Sequence, residues 1–330
     1  MEFTHAVTHV RVMEKRLLDA DIIERLLDSQ DPEDTLKILQ ETYYGDMLNN
    51  IDSVYDYEVA LKKALIDLYK EIYKISPQKE IVDIMSVKYD FHNMRVLLKA
   101  KALGKDFSEL LIHIGTIDIE NLKNFIDTGD TKALDIKTRD MIEDVEGKFN
   151  STLDPQVIDV ALDKYMFMRM SEMAVDLDIP YITKYVRESI DVTNIKIMVR
   201  CKKQKKDSRF FLDVAIPGGY LDLDILDKGI NESIENFANN ISRTSYSKAF
   251  NIVLDEFLSK GRVSSLDTAY DNYLMDSAKE AKRVSFGPEP ILGYIIAVET
   301  EIKLIRIIMV GKLNNVSKEV IRERLREVYV

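Results

Sequence analysis

Three stretches of the sequence decide the fold: PQKEIVDIMSVKYDFHNMRVLLKAKAL at residues 77–103, PYITKYVRESIDVTNIKIMVRCKK at 180–203, and PILGYIIAVETEIKLIRIIMVGKL at 290–313. Each begins with proline, which suits the first helical turn because the N–H that it lacks would have no partner there. Apolar residues such as Met94 and Leu98 recur at three- and four-residue steps, as in a helix with one face on a core. The sequence therefore predicts an all-α protein with three long helices.

The three stretches are copies of one another. Offsets of 101 and then 110 residues align three charged columns without gaps: Asp90, Asp191 and Glu301; Arg95, Lys196 and Arg306; and Lys101, Lys202 and Lys312. Further upstream, the segments LDADIIERLLD, IDIENLKNFID and LDLDILDKGIN share one pattern and predict a short, acidic-capped helix in each copy. Repetition in the same order predicts an architecture of similar units.

The repeat also predicts where the units join. Glycines cluster at Gly104, Gly115 and Gly218, and glycine is typical of helix ends and turns. We expect three similar helical domains, at residues 1–115, 116–219 and 220–330.

Composition excludes several classes of protein. The net charge of -11, from 46 basic and 57 acidic side chains, opposes general attraction to nucleic acid or anionic lipid. The longest apolar run, at residues 291–298, is far shorter than the roughly 20 residues that cross a bilayer, so we expect no direct membrane insertion. Cys201 is the single cysteine, which rules out an internal disulfide, and the N-terminus lacks the features of a secretory signal. A cytoplasmic location is expected.

Familiar catalytic motifs are missing from the sequence, which has no phosphate-binding glycine loop, no CxxC and no HExxH. We therefore predict no cofactor and no active site. His5 and His9 share a helix face, but a zinc site needs more ligands than two. The pair Asp159 and Asp163, like Asp267 and Asp271, leaves a metal-dependent enzyme as an alternative. A solvated helical face is the favoured interpretation, because the first copy has Glu58 and Lys62 at these positions.

One basic face persists in all three copies and is the candidate partner interface. It consists of Arg95, Lys99, Lys196, Arg200, Lys303 and Arg306. Pairing with acidic neighbours within the chain, such as Asp90, Asp191 and Glu301, is an equally open interpretation. The basic run at residues 202–206 is interpreted as a solvated helix end.

The C-terminal segment FGPEPILGYIIAVETEIKLIRIIMVGKLNNVSKEVIRERLREVYV, residues 286–330, resembles the end of the C subunit of V-type and A-type rotary ATPases, which is the d subunit in eukaryotes. The stretches YDFHNMRVLLKAK and IDVTNIKIMVRCK are similar to two earlier helix motifs of that family, so the resemblance extends over essentially the whole chain.

The resemblance implies a funnel-shaped subunit of three helical domains around a pseudo-threefold axis. In that family the subunit has no active site. It rests on the membrane rotor ring at the cytoplasmic side and receives the central stalk, and so couples ATP synthesis or hydrolysis to proton or sodium transport. A helical-repeat scaffold for other soluble partners is the alternative, although its repeats are usually shorter than about 45 residues.

Overall fold

The computed structural model describes residues 3–130, 132 and 134–330, and every regular element in this part of the chain is a helix. The prediction of an all-α protein is confirmed. The α-helices, in chain order, are α1 Thr4–Met13, α2 Ala20–Asp28, α3 Pro32–Gln40, α4 Gly45–Leu48, α5 Tyr57–Ile75, α6 Glu80–Leu103, α7 Ile119–Thr128, α8 Ile136–Thr152, α9 Pro155–Leu177, α10 Pro180–Lys203, α11 Ser208–Val214, α12 Leu223–Asn231, α13 Ile234–Asn240, α14 Ser247–Lys260, α15 Ser265–Glu280, α16 Glu289–Leu313 and α17 Lys318–Arg322. Short 3-10 helices lie at Glu14–Arg16, Val54–Asp56, Ser108–Leu110 and Ala281–Arg283.

The three predicted long helices are α6, α10 and α16. Pro180 and Pro290 lie in the first turns of α10 and α16, as expected. Pro77 instead precedes α6, in the turn after α5, where the preceding Ser76 is extended. A residue before proline is disfavoured in the helical region, so α5 ends there.

The chain divides into two compact units, each with its own core. One contains the residues up to Val82 together with Glu232–Val330, and the other is Asp83–Asn231. In the first unit, α16 is the central helix: it packs on α1, α3, α5 and α15. In the second unit, α9 packs on α8 and α10, and α12 packs on α10. The division into three domains at residues 115 and 219 stays a prediction.

Each long helix carries a buried carboxylate that binds the start of a short helix. In the second unit, Asp90 of α6 accepts hydrogen bonds from the backbone N–H groups of Thr116 (3.0 Å) and Ile117 (2.9 Å), immediately before α7. Asp191 of α10 accepts from Tyr220 (2.9 Å) and Leu221 (3.0 Å), immediately before α12. Because a buried carboxylate without donors is costly, these bonds fix the position of each short helix.

The third copy uses the two ends of the chain. Glu301 of α16 accepts from the Leu18 N–H at 2.7 Å, just before α2, and from the Tyr44 hydroxyl at 2.7 Å. These partners lie far away in sequence, since Leu18 precedes Glu301 by 283 residues. The short helix at the beginning of the chain is therefore hydrogen-bonded to the last long helix.

A lysine on each long helix binds the other end of the same short helix. The Lys101 ammonium donates to the Ile126 carbonyl at 2.6 Å, and Lys202 donates to the Gly229 carbonyl at 3.1 Å. Lys312 donates to the Leu27 carbonyl at 2.8 Å. These carbonyls lie in the last turns of α7, α12 and α2, where helical carbonyls lack intrahelical partners.

We call each such carboxylate and lysine pair a clamp. Its two residues are eleven positions apart, which on an α-helix is about 16 Å, close to the length of a nine- or ten-residue helix. The short helix therefore runs parallel to the long one. Its N-terminus meets an anion and its C-terminus meets a cation, the arrangement that the helix dipole favours.

Two glycines make room for the aspartate clamps. A Cβ atom on Gly115 would lie 1.9 Å from Oδ1 of Asp90, and one on Gly219 would lie 1.9 Å from Oδ1 of Asp191. In the third copy Arg16 stands at the equivalent position, and the clamp residue is the longer glutamate, which accepts from the Leu18 N–H. Glycine is thus required where the clamp residue is aspartate.

We predict that Gly115→Ala destabilises the unit Asp83–Asn231 by on the order of 3 kcal/mol, because the new methyl group displaces a buried carboxylate from two backbone donors. Gly147 in α8 is the matched control, since a Cβ there meets nothing within 4 Å. Gly147→Ala should raise stability by about 0.5–1 kcal/mol. Thermal unfolding and the exchange rates of the Thr116 and Ile117 amides measure both effects, and equal stability of the two variants would contradict the clamp.

Glu301 gives a prediction for pH dependence. Burial raises the pKa of its carboxyl to about 7, and the hydrogen bonds from Tyr44 and Leu18 oppose that shift. The folded protein then holds the Glu301 proton more tightly than the unfolded chain does, and this proton stabilises the fold. The stabilisation is complete below the unfolded pKa near 4.5 and is lost as the pH rises through 7.

Glu301→Gln should therefore gain stability relative to the unchanged protein as the pH rises from 5 to 8, by on the order of 3 kcal/mol at most. The amide keeps an acceptor for the Leu18 N–H and offers a donor to the Tyr44 oxygen, and it does not titrate. Denaturant unfolding at several pH values checks this, and a difference between the two proteins that stays constant with pH would refute it.

Candidate partner interface

The basic face of α6 is paired with α9. The Arg95 guanidinium lies 2.5 Å from Oδ1 of Asp163 through Nη2 and 3.0 Å from Oδ1 of Asp159 through Nε. The Lys99 ammonium lies 2.7 Å from the same Asp159 oxygen. Burial raises the pKa of the Asp163 carboxyl, and the charge of Arg95 opposes this shift. Two cations and two carboxylates thus form one network that joins the two helices.

The basic face of α16 is paired with two other helices of its unit. Arg306 makes a bidentate ion pair with Glu58 of α5, with Nε at 2.6 Å from Oε1 and Nη2 at 2.9 Å from Oε2. Lys303 bonds to Asp271 of α15. Arg326, which follows α17, reaches the same Asp271 oxygen through Nε at 2.9 Å, and its side chain is only 9% exposed.

Lys196 and Arg200 occupy the matching face of α10. Lys196 is half-buried and Arg200 is exposed, and each takes part in an interaction. The six predicted residues therefore lie on equivalent faces of the three long helices, and Arg95 and Lys99 converge on one carboxylate, Asp159.

The acidic partners differ from those named in the sequence interpretation. Asp90 and Glu301 bind backbone amides, not Arg95 or Arg306. The reason is rotational, because residues five positions apart on an α-helix are separated by about 140° around its axis. The clamp residue points into the core while the cation faces a neighbouring helix.

Three of the four carboxylates considered as metal ligands are paired with cations. Asp159 and Asp163 hold Arg95 and Lys99, and Asp271 holds Lys303. Among the described residues, no group of three or more His, Cys, Asp and Glu side chains is placed to hold a metal ion.

The other positions considered in the sequence analysis are as follows in the structure. His9 lies 3.4 Å from Glu71, and Cys201 is buried. Within the described ranges, no helix is both long and apolar enough to cross a bilayer. In the basic run, Lys202 belongs to a clamp.

Sequence reasoning missed the acidic side chains that pair with the basic face, although a signal for them was present. Glu58 and Asp159 occupy equivalent positions of the repeat, and so do Arg306 and Arg95. The ion pair between Arg306 and Glu58 is thus the counterpart of the ion pair between Arg95 and Asp159. A cation column and an acid column shared between copies predict such a pairing.

The electrostatic character of these pairs leaves them able to exchange partners. The side chains of Arg306 and Glu58 are 46% and 45% exposed, and ion pairs at such positions contribute about 0–1 kcal/mol. An approaching carboxylate can therefore compete for the guanidinium at little cost to the fold.

Comparison with known proteins gives a consistent result over the whole chain. The sequence model of the ATP synthase (C/AC39) subunit family matches residues 6–324. The C subunit of the V-type sodium ATPase of Enterococcus hirae is 29% identical, over 100% of this chain and 99% of its own length. The C subunit of the A-type ATP synthase of Methanocaldococcus jannaschii is 26% identical, over 98% and 86% respectively. That of Methanobrevibacter smithii is 28% identical, over 92% and 82%. Because the match spans nearly every residue, the chain belongs to the ATP synthase (C/AC39) subunit family.

Proposed function

We propose that this chain is the non-catalytic central-rotor subunit that links the membrane rotor ring to the central stalk of a V-type or A-type rotary ATPase. In this role it couples ATP synthesis or hydrolysis to proton or sodium transport. The observation that carries the proposal is the family match over residues 6–324, together with relatives named as the C subunit of such enzymes.

The clamps suit the mechanical requirement of this role. An adaptor that transmits torque must not let its helices slide under load. Each clamp holds a short helix at both ends, with a buried carboxylate at one end and a lysine at the other. Sliding the short helix by one turn would leave a buried carboxylate without donors, which is costly. The clamps therefore resist axial displacement.

The proposal includes an arrangement and a location. The three repeats form similar domains around a pseudo-threefold axis in a funnel, which receives the stalk and rests on the ring at the cytoplasmic face of the membrane. The contacts with these partners involve the basic face of the long helices: Arg95, Lys99, Lys196, Arg200, Lys303 and Arg306. Polar, charged contacts suit a junction that has to assemble and separate.

We predict that the tagged chain, purified from mildly solubilised membranes of its own source, retains rotor-ring and central-stalk subunits. Mass spectrometry of the retained polypeptides is the measurement. Recovery of these subunits in constant proportion to the tagged chain through a subsequent size-exclusion step would support the proposal. Recovery of unrelated soluble proteins in their place would favour a helical scaffold.

We further predict that Arg306→Glu reduces this recovery by about tenfold or more, since a contact with a charged partner is worth more than about 1.4 kcal/mol at an interface. The matched control is the double variant Arg306→Glu with Glu58→Arg, which restores the internal ion pair in reversed polarity. If Arg306 contacts a partner, the double variant should remain defective in assembly. Full recovery of assembly by the double variant would assign Arg306 to internal pairing alone and reject it as an interface residue.

A further inference from the structure

A cavity with a methionine-rich lining lies between α6, α8 and α9 in the unit Asp83–Asn231. Its volume is about 420 Å³, and its apolar lining includes Phe91, Met94, Met141 and Met168. Phe91 and Met94 are buried at its floor, whereas Met168 is 49% exposed at its mouth. Methionine side chains are flexible and adapt to varied apolar partners, as at promiscuous binding surfaces.

The cavity continues into an open extension along α9. The extension has a volume of about 650 Å³, shares Met168 with the cavity, and reaches Val175 and Pro217. The combined groove borders α9 from Tyr165 to Asp176, a rise of about 16 Å or three helical turns. An elongated groove of this length fits a short helix better than a compact small molecule.

The exposed apolar side chains of the groove follow a helical spacing. Met168 is 49% exposed and Val175 is 74% exposed, and they lie seven positions apart, on the same side of α9. Two exposed apolar side chains on one side of α9 offer a surface for the apolar face of a docked helix.

The rim of the groove has an excess of negative charge. Among the described residues that line it, the cations are Lys137 and Arg169, and both approach Glu172, at 3.4 Å and 3.5 Å. Further carboxylates at the rim, those of Asp135, Asp140 and Asp176, are exposed. The net charge of the whole chain, -11, adds a field of the same sign. Both the rim carboxylates and the net charge of the chain favour a partner with basic flanks.

We propose that this groove is a docking site for an amphipathic helix of about three turns, presented by a partner polypeptide, with an apolar face and lysine or arginine on its flanks. The apolar face covers Met168 and Val175, and the basic flank meets the carboxylates of the rim. The site is separate from the basic face of the long helices, and the proposal does not depend on the rotor role.

The experiment uses the full chain and two fluorescent model peptides of about 14 residues, roughly four helical turns, one built from leucine and lysine and the other from leucine and glutamate. The basic peptide should bind and the acidic one should not. The double variant Met168→Asp with Val175→Asp should weaken binding by at least about tenfold. Both positions are exposed, so folding should be preserved, which circular dichroism checks.

The control variant is Ile252→Asp, since Ile252 in α14 is 52% exposed and is not among the residues that line this groove. Its peptide affinity should match that of the unchanged chain. Equal loss of binding in both variants, or equal affinity for both peptides, would show non-specific adsorption and overturn the proposal. Binding of a small apolar dye that the groove variant abolishes, with no binding of either peptide, would assign the cavity to a small ligand and also overturn it.

Discussion

The rest of the structure depends on one constraint: a carboxylate buried in the middle of each long helix has to be supplied with hydrogen-bond donors. Asp90, Asp191 and Glu301 are almost fully buried, and the chain itself brings donors, in the form of free N–H groups at the start of a short helix. That choice of donor orients the short helix and fixes which end meets the lysine. It also requires glycine where an aspartate has to approach the backbone closely. Helix direction, helix length and the two glycines all follow from the same buried charge.

The long helices therefore carry two kinds of charge with different roles. The clamp residues are buried or bound to backbone groups, and changing them alters the fold. The cations Arg95 and Arg306, five positions further along, pair with side chains of neighbouring helices and stay partly accessible. Because exposed ion pairs contribute little to stability, these pairs can be changed without weakening the clamps. A single helix can thus be rigid within the subunit and adaptable at its surface.

Much of the architecture was readable from sequence because helical periodicity and a repeat are local patterns. They predicted the three long helices, the acidic-capped short helices and the columns that contain Asp90 and Lys101. The roles of those columns were not readable. The spacing between Asp90 and Arg95 shows that they share a helix, but only the neighbouring elements decide that one binds amides and the other binds Asp163. The groove was missed for a similar reason, since α6, α8 and α9 together form it and no single segment contains its pattern.

The third clamp differs from the other two in what it costs to form. Asp90 binds an amide 27 residues away, whereas Glu301 binds one 283 residues away, and closing the longer loop costs about 2 kcal/mol more in chain entropy. In the third copy, additional ion pairs hold the short helix. Arg322 of α17 makes two bonds to Glu24, and Lys318 bonds to Asp28, so α2 is held by α17 as well as by α16. The Tyr44 hydroxyl donates to Glu301 in place of the second backbone N–H that binds Asp90 and Asp191. Since α2 is held by α16 and α17, order in the first short helix depends on the C-terminal helices, and the beginning and the end of the sequence are stabilised together.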